Sequence, residues 1–374
     1  MKLGFLGLAL ALSASAHTLF TTLFINGENQ GDGTCVRMPR DGATANGPVH
    51  PITGNDMACG RDGAKAVAFT CPTPHRATLT FEFRMHPDGR EPGPIAASHK
   101  GPCAVYLKRV DDMYAADDVA AGPGWFKIWQ DGYSNETGKW CVDRLIENHG
   151  FLSVRLPAVP TGYYLVRPEI LALHNAARGD AEFYTGCAQI YVEQGPDGAL
   201  EVPPGKDARI PGHVSPDDGG VRFDVHARPL PAYVVPGPGV FAPKGQGQGQ
   251  GAPTRRAKQT AGKRPGDCVL KNANWCARPV PGFSDARGCW TSAQNCYDQG
   301  ERCWRTAPPS GNVNCKTWQD YCGSLEATCT SAAASGPPQF RGGEETAALP
   351  EKAAKPWNDV FSRSPRIRRP SSEA

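Results

Sequence analysis

The sequence predicts an all-β protein: an immunoglobulin-like/fibronectin-like β-sandwich with long loops, carrying a small disulfide-rich C-terminal module. Short runs of period-two hydrophobicity point to strands with one buried face. Gly (43) and Pro (35) are abundant among the 374 residues and favour turns over long helices. Eight of the 14 cysteines crowd between Cys268 and Cys329, where cross-links would replace the hydrophobic core that so small a unit lacks.

Residues 1–16 read as a secretory signal peptide. Lys2 gives the positive start, Leu3 to Leu12 form the apolar run, and Ser13-Ala14-Ser15-Ala16 supply small residues before a cleavage point. The run is too short for a stable membrane span, and no other stretch is apolar enough, so no membrane partner is expected. Secretion suits the even cysteine count, because an oxidising compartment pairs thiols. It also gives meaning to the sequon Asn135-Glu136-Thr137, with Asn135 as the glycan acceptor. A formal net charge of +3 argues against a nucleic-acid binder.

Residues 17–241 form the expected sandwich domain. In Thr78–Met85, Leu79, Phe81, Phe83 and Met85 share one face, and Thr80, Glu82 and Arg84 share the other. Further strands are expected at Leu19–Ile25, Ala66–Cys71, Cys103–Val110, Phe151–Leu156, Tyr163–Arg167 and Glu182–Glu193. Residues 242–265 read as a Gly/Gln/basic linker, with alternating Gly and Gln from Gly245 to Gly251 and the pairs Arg255-Arg256 and Lys263-Arg264. Residues 266–330 are the Cys-rich module. It holds Trp275, Trp290, Trp304 and Trp318, half of the chain's eight tryptophans, which would form either a sugar-stacking surface or a packed core. Residues 331–374 are rich in Ala, Pro, Ser and charge and are expected to be disordered.

Cleavage after Ala16 would make His17 the first residue. An N-terminal histidine offers two metal ligands at once, its α-amine and its imidazole Nδ1, which close a small chelate ring. A second histidine adds a third nitrogen, and tetragonal nitrogen sites suit Cu(II). A zinc site is not expected, because the cysteines of the first domain lie far apart in sequence.

Several segments carry a resemblance. They begin with His17-Thr18-Leu19-Phe20 and Ile25-Asn26-Gly27, followed by Ser98-His99-Lys100-Gly101-Pro102 and Trp125-Phe126-Lys127-Ile128. Next come Tyr164-Leu165-Val166-Arg167-Pro168-Glu169-Ile170 with Leu171-Ala172-Leu173-His174, and then Ala181-Glu182-Phe183-Tyr184 before Cys187-Ala188-Gln189-Ile190. Tyr233-Val234-Val235-Pro236-Gly237-Pro238 closes the series. In this order the chain resembles the auxiliary-activity family nine lytic polysaccharide monooxygenases, formerly classed as a glycoside hydrolase family, here with a Cys-rich C-terminal extension. The resemblance implies one copper ion, with His17 and His99 as equatorial ligands and Tyr184 at the axial position. It implies that His174 hydrogen-bonds oxygen species, where a proton donor stabilises developing charge. It also implies the pairs Cys59–Cys187, Cys35–Cys71 and Cys103–Cys141.

Two departures from the family pattern stand out. Glu182 occupies a position where the family usually has Gln, so an acid sits beside the axial oxygen. The family often displays flat tyrosines around the metal, but the late position that often holds one is His226 here. The loop from Asn26 to Met57 contains no aromatic residue. Stacking on a crystalline chain should be weaker, which favours a non-cellulose or mixed glucan substrate.

The function implied by the resemblance is copper-dependent oxidative cleavage of cellulose or related β-glucans. It would proceed by hydroxylation at C1 and/or C4, with O2 or H2O2 and an external electron donor, on a secreted monomer. A non-catalytic copper- or polysaccharide-binding protein on the same scaffold is the alternative. A glycoside hydrolase would need two carboxylates flanking a bond, and no such pair stands out.

Overall fold

A computed structural model describes residues 17–243, 258–331, 336–342 and 355–357. The signal-peptide expectation for residues 1–16 lies outside the described residues, as do the Gly/Gln repeat and the pair Arg255-Arg256 of the expected linker.

The strands of the first half are β1 (Leu19–Ile25), β2 (Glu28–Asn29), β3 (Val36–Arg37), β4 (Cys71–Pro74), β5 (Thr78–Arg84), β6 (Cys103–Val110) and β7 (Gly122–Asp131). They are followed by β8 (Tyr133–Ser134), β9 (Lys139–Trp140), β10 (Phe151–Arg155), β11 (Gly162–Asn175), β12 (Asp180–Thr185), β13 (Cys187–Glu193) and β14 (Asp207–Ile210). Short helices α1 (Asp56–Cys59) and α2 (Cys141–Glu147) interrupt the loops. One sheet has the order β10-β5-β1-β2. The larger one runs β14-β7-β6-β11-β13-β3, with β12 on β11 and β4 on β13.

The alternation read in β5 holds in three dimensions. Leu79, Phe81 and Phe83 are buried between the sheets with Phe20, Leu23, Val105, Leu107, Leu152, Val166, Ile170 and Ile190. On the opposite face, Thr80 meets Ser153 of β10 hydroxyl to hydroxyl at 2.7 Å. The outer face of the larger sheet is also covered: loops lay Trp140, Val214, Phe223 and Val225 over Tyr106, Trp125 and Leu165. Disulfides Cys35–Cys71, Cys59–Cys187 and Cys103–Cys141 tie loops to this framework.

Three strand expectations need correction. Residues 66–70 are not a strand, and β4 starts only at Cys71. The Gln189 side chain takes their backbone bonds instead, accepting from Val67 N at 2.9 Å and donating to Val67 O and Phe69 O at 3.0 Å each. The expected strand Glu182–Glu193 is two strands, broken at Gly186. The expected Tyr163–Arg167 strand runs on to Asn175. Pro168 sits where β11 changes partner from β13 to β12, a point at which a missing N–H is tolerated.

The C-terminal module is mainly helical, contrary to the expectation that the composition disfavours long helices. A small ribbon of β15 (Leu270–Asn272) and β16 (Trp275–Ala277) precedes α3 (Ala286–Thr306, 21 residues) and α4 (Val313–Thr330, 18 residues). Asp285 caps α3 by accepting from Gly288 N at 2.7 Å, and the prolines after Ala307 stop it. Disulfides Cys268–Cys276, Cys289–Cys329, Cys296–Cys322 and Cys303–Cys315 hold the unit.

The module is docked on the sandwich. Thr34 Oγ1 donates to Ala273 O at 3.1 Å, Cys35 N donates to Asn274 Oδ1 at 2.9 Å, and Asn274 Nδ2 donates to Gly33 O at 2.7 Å. The described end of the expected linker is docked as well: Gln259 Nε2 donates to Thr70 O at 2.8 Å, and Thr70 N to Gly262 O at 2.9 Å. Two pieces of the tail expected to be disordered are packed. Phe340 lies against Trp318 and Tyr321, and buried Trp357 lies 5.8 Å from the Trp129 ring, centroid to centroid.

Candidate metal centre

Histidines, a tyrosine and a carboxylate converge where the layer between the sheets opens to solvent at one end. Each arrives for a local reason. His17 precedes β1, and its neighbour Thr18 is pinned by Thr18 N to Asn46 O at 2.9 Å and Thr18 Oγ1 to Pro94 O at 2.5 Å. His99 closes a turn, with its N–H on Ala96 O at 3.0 Å, just ahead of β6. The following residues are laced to β11 by Leu173 N to Lys100 O at 2.8 Å and Leu171 N to Pro102 O at 3.1 Å. Gly101 makes that approach possible, since a Cβ there would stand 1.8 Å from the Leu171 carbonyl oxygen.

His174 lies near the end of β11, where the pairing with β12 is irregular between Ala172 and Asn175. Such an irregularity re-aims a side chain. Glu182 and Tyr184 are two residues apart on β12, opposite Ala172 and Ile170, and so share the inward face.

Glu182 joins the group. Its Oε2 lies 3.3 Å from His99 Nε2 and accepts the Tyr184 hydroxyl at 2.5 Å, and its Oε1 lies 3.7 Å from His174 Nε2. The His99 and His174 rings are 4.1 Å apart between centroids, and Tyr184 lies 6.2 Å from His17 and 6.1 Å from His99. Ser98 Oγ is 3.2 Å from His99 Nδ1, which leaves Nε2 as the inward-facing nitrogen. His226 is exposed, and its Nε2 contacts the His174 carbonyl at 3.2 Å.

The electrostatics follow from this crowding. Burial lowers the His17 and His174 imidazoles below their usual value, and His99 lowers both further, against opposition from Glu182. Neutral imidazoles are the form that binds metal. Burial pushes the Glu182 carboxyl up, but the bonds to His99 and Tyr184 outweigh it and hold it at about 2. Burial, then the bond to that carboxylate, holds the Tyr184 phenol well above its usual range.

This donor set could hold a metal ion. His99 Nε2 and the Tyr184 hydroxyl both reach one carboxylate oxygen, so they face a common point. His174 Nδ1 is buried and finds no hydrogen-bond partner among the described residues. Among the described residues, His99, His174 and Glu182 have ligand atoms that all lie within 4.8 Å of one another. The structure thus brings His17, His99, His174, Glu182 and Tyr184 to one place, with Glu182 more central than its sequence position suggested. Sequence reasoning missed the supports: Asn46 and Pro94 lie outside every motif, and although Thr18 and Gly101 fall within the motifs, their supporting roles show only in the bonds Thr18 makes and in the carbonyl Gly101 passes.

The sequence profile of Auxiliary Activity family 9 (formerly GH61) matches residues 17–233. An AA9 family lytic polysaccharide monooxygenase C of Aspergillus tamarii is 47% identical over 339 residues, covering 88% of this chain and 90% of that protein. The chain belongs to Auxiliary Activity family 9. It is an oxidoreductase. A second member, AA9 family lytic polysaccharide monooxygenase H of Botryotinia fuckeliana (strain B05.10), is 40% identical over 335 residues, 87% of this chain and 75% of its own. The solved structure titled CvAA9A superposes on 60% of this chain and 98% of its own, with TM-score 0.52 and 29% identity. Both long alignments exceed the profile match and so run into the Cys-rich part, which fits an AA9 domain with an extension.

Proposed function

We propose that the chain is secreted, processed after Ala16 and carries one copper ion with which it oxidatively cleaves cellulose or a related β-glucan. The observation that carries this reading is the convergence of His17, His99 and Tyr184, from three separate parts of the chain, on the open end of the sandwich. His17 supplies its ring and, once residues 1–16 are removed, its α-amine. His99 supplies Nε2. Tyr184 faces the same point with a hydroxyl that donates to Glu182. Copper in such a site supplies the one-electron redox chemistry that activates O2 or H2O2.

The protein's own part is orientation and proton control. His174 would offer a ring nitrogen as a donor to charge developing on a bound oxygen species, while Glu182, which accepts from the Tyr184 hydroxyl and contacts His99 and His174, would hold those groups in place. The conversion replaces a C–H at C1 or C4 of a sugar by C–OH. With O2 it consumes two electrons and two protons from an external donor and releases water. With H2O2 it releases water without further electrons. The hydroxylated carbon then becomes a carbonyl as the glycosidic oxygen leaves as an alcohol. Asn135, exposed in the turn between β8 and β9, is the proposed glycan site.

Mass spectrometry of products from processed, copper-loaded enzyme on a glucan panel with reductant tests the proposal: oxidised oligosaccharides are expected. Copper binding without products would favour the second reading, a non-catalytic copper- or polysaccharide-binding protein. That reading draws on Glu182, whose carboxylate already engages the Tyr184 hydroxyl and contacts His99.

A further inference from the structure

α3 carries a seven-residue repeat in which a cysteine is followed by an aromatic residue: Cys289-Trp290, Cys296-Tyr297 and Cys303-Trp304. α4 repeats its cysteines at the same interval, Cys315, Cys322 and Cys329. The two helices run antiparallel, and the cysteines join as three rungs, Cys303–Cys315, Cys296–Cys322 and Cys289–Cys329. Rungs spaced two turns apart fix the rotation of each helix about its axis.

The residue after each cysteine is turned by about 100° around α3, away from the rung. The aromatic rings therefore emerge at the surface: Trp290 is 46% exposed, Tyr297 38% and Trp304 41%. The module's core is filled instead by Trp318 and Trp275, at 0% and 8%. The four tryptophans thus divide evenly between core and surface.

Three large rings in one line on a small domain are a costly surface unless they meet a partner. Seven residues of helix rise ~10.5 Å and fall only ~20° short of two full turns, so the line is nearly straight. Successive sugars of an extended β-1,4-linked chain are flipped, so the same face recurs every second unit. That two-sugar interval is about the spacing of the rings. Tyr297 is held at the centre by its hydroxyl, which donates to Glu326 Oε2 at 2.6 Å. Gln294, Asp298, Glu301 and Arg305 flank the line with groups that can bond sugar hydroxyls.

We propose that Trp290, Tyr297 and Trp304 form a binding site for an extended β-1,4-linked polysaccharide, one ring for every two sugars. A membrane-seeking helix would show a wide apolar face with basic flanks. This line is one residue wide with both charge signs beside it. A groove in a partner protein would call for apolar anchors at the i+3 or i+4 positions as well as at i+7, whereas the exposed i+4 positions here are Gln294 and Glu301. The module contacts Gln30 to Cys35, a segment that runs back alongside β1, with Gln30 N bonded to Leu23 O and Gly33 N to Thr21 O. The strip shares no residue with the metal centre, so its binding should depend on neither copper nor reductant.

The test is a pull-down of the full chain onto insoluble cellulose and chitin in the presence of a chelator and without reductant. Starch granules and phosphatidylcholine vesicles serve as comparison surfaces. Each ring replaced by alanine should weaken binding about two- to tenfold, and Trp290→Ala/Tyr297→Ala/Trp304→Ala together at least about tenfold. Tyr297→Phe keeps the ring and should bind within about twofold of the parent. Pairing Trp304→Ala with Glu301→Trp keeps three rings but shifts one by ~4.5 Å, and it should bind as poorly as Trp304→Ala alone. Far-ultraviolet circular dichroism confirms that each exposed-site variant keeps its helices. The proposal is overturned if the triple variant binds cellulose and chitin as tightly as the parent, or if the shifted-ring variant retains full binding. It is also overturned if the parent binds neither polymer or prefers starch or vesicles.

Discussion

Adding a single methyl group at Gly101 tests whether backbone packing positions the metal centre. The Cβ of Gly101→Ala would lie 1.8 Å from the Leu171 carbonyl oxygen and 3.0 Å from its carbon, and an ordinary contact begins at 3.4 Å. The obstacle is backbone, so no side-chain rotation relieves it, and the 99–102 segment must move from β11 by roughly 1.6 Å, the difference between 3.4 and 1.8 Å. That movement strains or breaks the bonds from Leu173 N to Lys100 O and from Leu171 N to Pro102 O. Two lost bonds at about 1 kcal/mol each, with about 1–3 kcal/mol for overpacking, put the cost at about 3–5 kcal/mol. His99 lies two residues before the clash, and displacement of a ligand's support lowers metal affinity by about 10- to 100-fold. Titration calorimetry of copper into the processed chain, with thermal unfolding alongside, reads both effects. Gly42→Ala is the control, because a Cβ there meets nothing within 4 Å. Gly101→Ala with unchanged copper affinity and unchanged Tm would refute the reasoning that this close approach places His99.

Three further outcomes follow from the same geometry. One extra residue retained before His17 removes the terminal amine from the donor set, and copper affinity should fall at least about tenfold, with a changed Cu(II) resonance spectrum; identical spectra would contradict the amine ligand. Glu182→Gln replaces a charged acceptor at the Tyr184 hydroxyl by a neutral one. It should leave copper affinity within about threefold and raise turnover, and unchanged kinetics would remove the role given to Glu182. The third concerns Glu169, whose carboxyl burial pushes up but which Arg167, at 2.7 Å, and His213, at 3.3 Å, hold down at about 2, against an ordinary 4.5. Its folded value is depressed, so its contribution is complete above pH 4.5 and is lost as pH falls toward 2. Glu169→Gln should flatten that part of the acid-unfolding curve and, by leaving buried Arg167 unpaired, cost about 3–5 kcal/mol at neutral pH; parallel curves for parent and variant would exclude the link.

Sequence alone carried a large share of this protein. Alternation in Thr78–Arg84 marked a strand whose phenylalanines had to face inward, because a period of two admits one arrangement. The small residues before His17 and the short motifs around His99 and Tyr184 named the candidate ligands, because metal donors must be particular residue types. Tertiary structure decided what depends on partners remote in the chain. Gln189 claimed the backbone of Val67 and Phe69 from 122 and 120 positions away, and no local pattern encodes such a bond. Glu182 became central only when β12 paired with β11 and carried it to His99. The seven-residue interval in the module was visible in the sequence, yet it had no meaning until the chain was helical. In a strand, an odd interval sends alternate rings to opposite faces, whereas in a helix it sets all three on one.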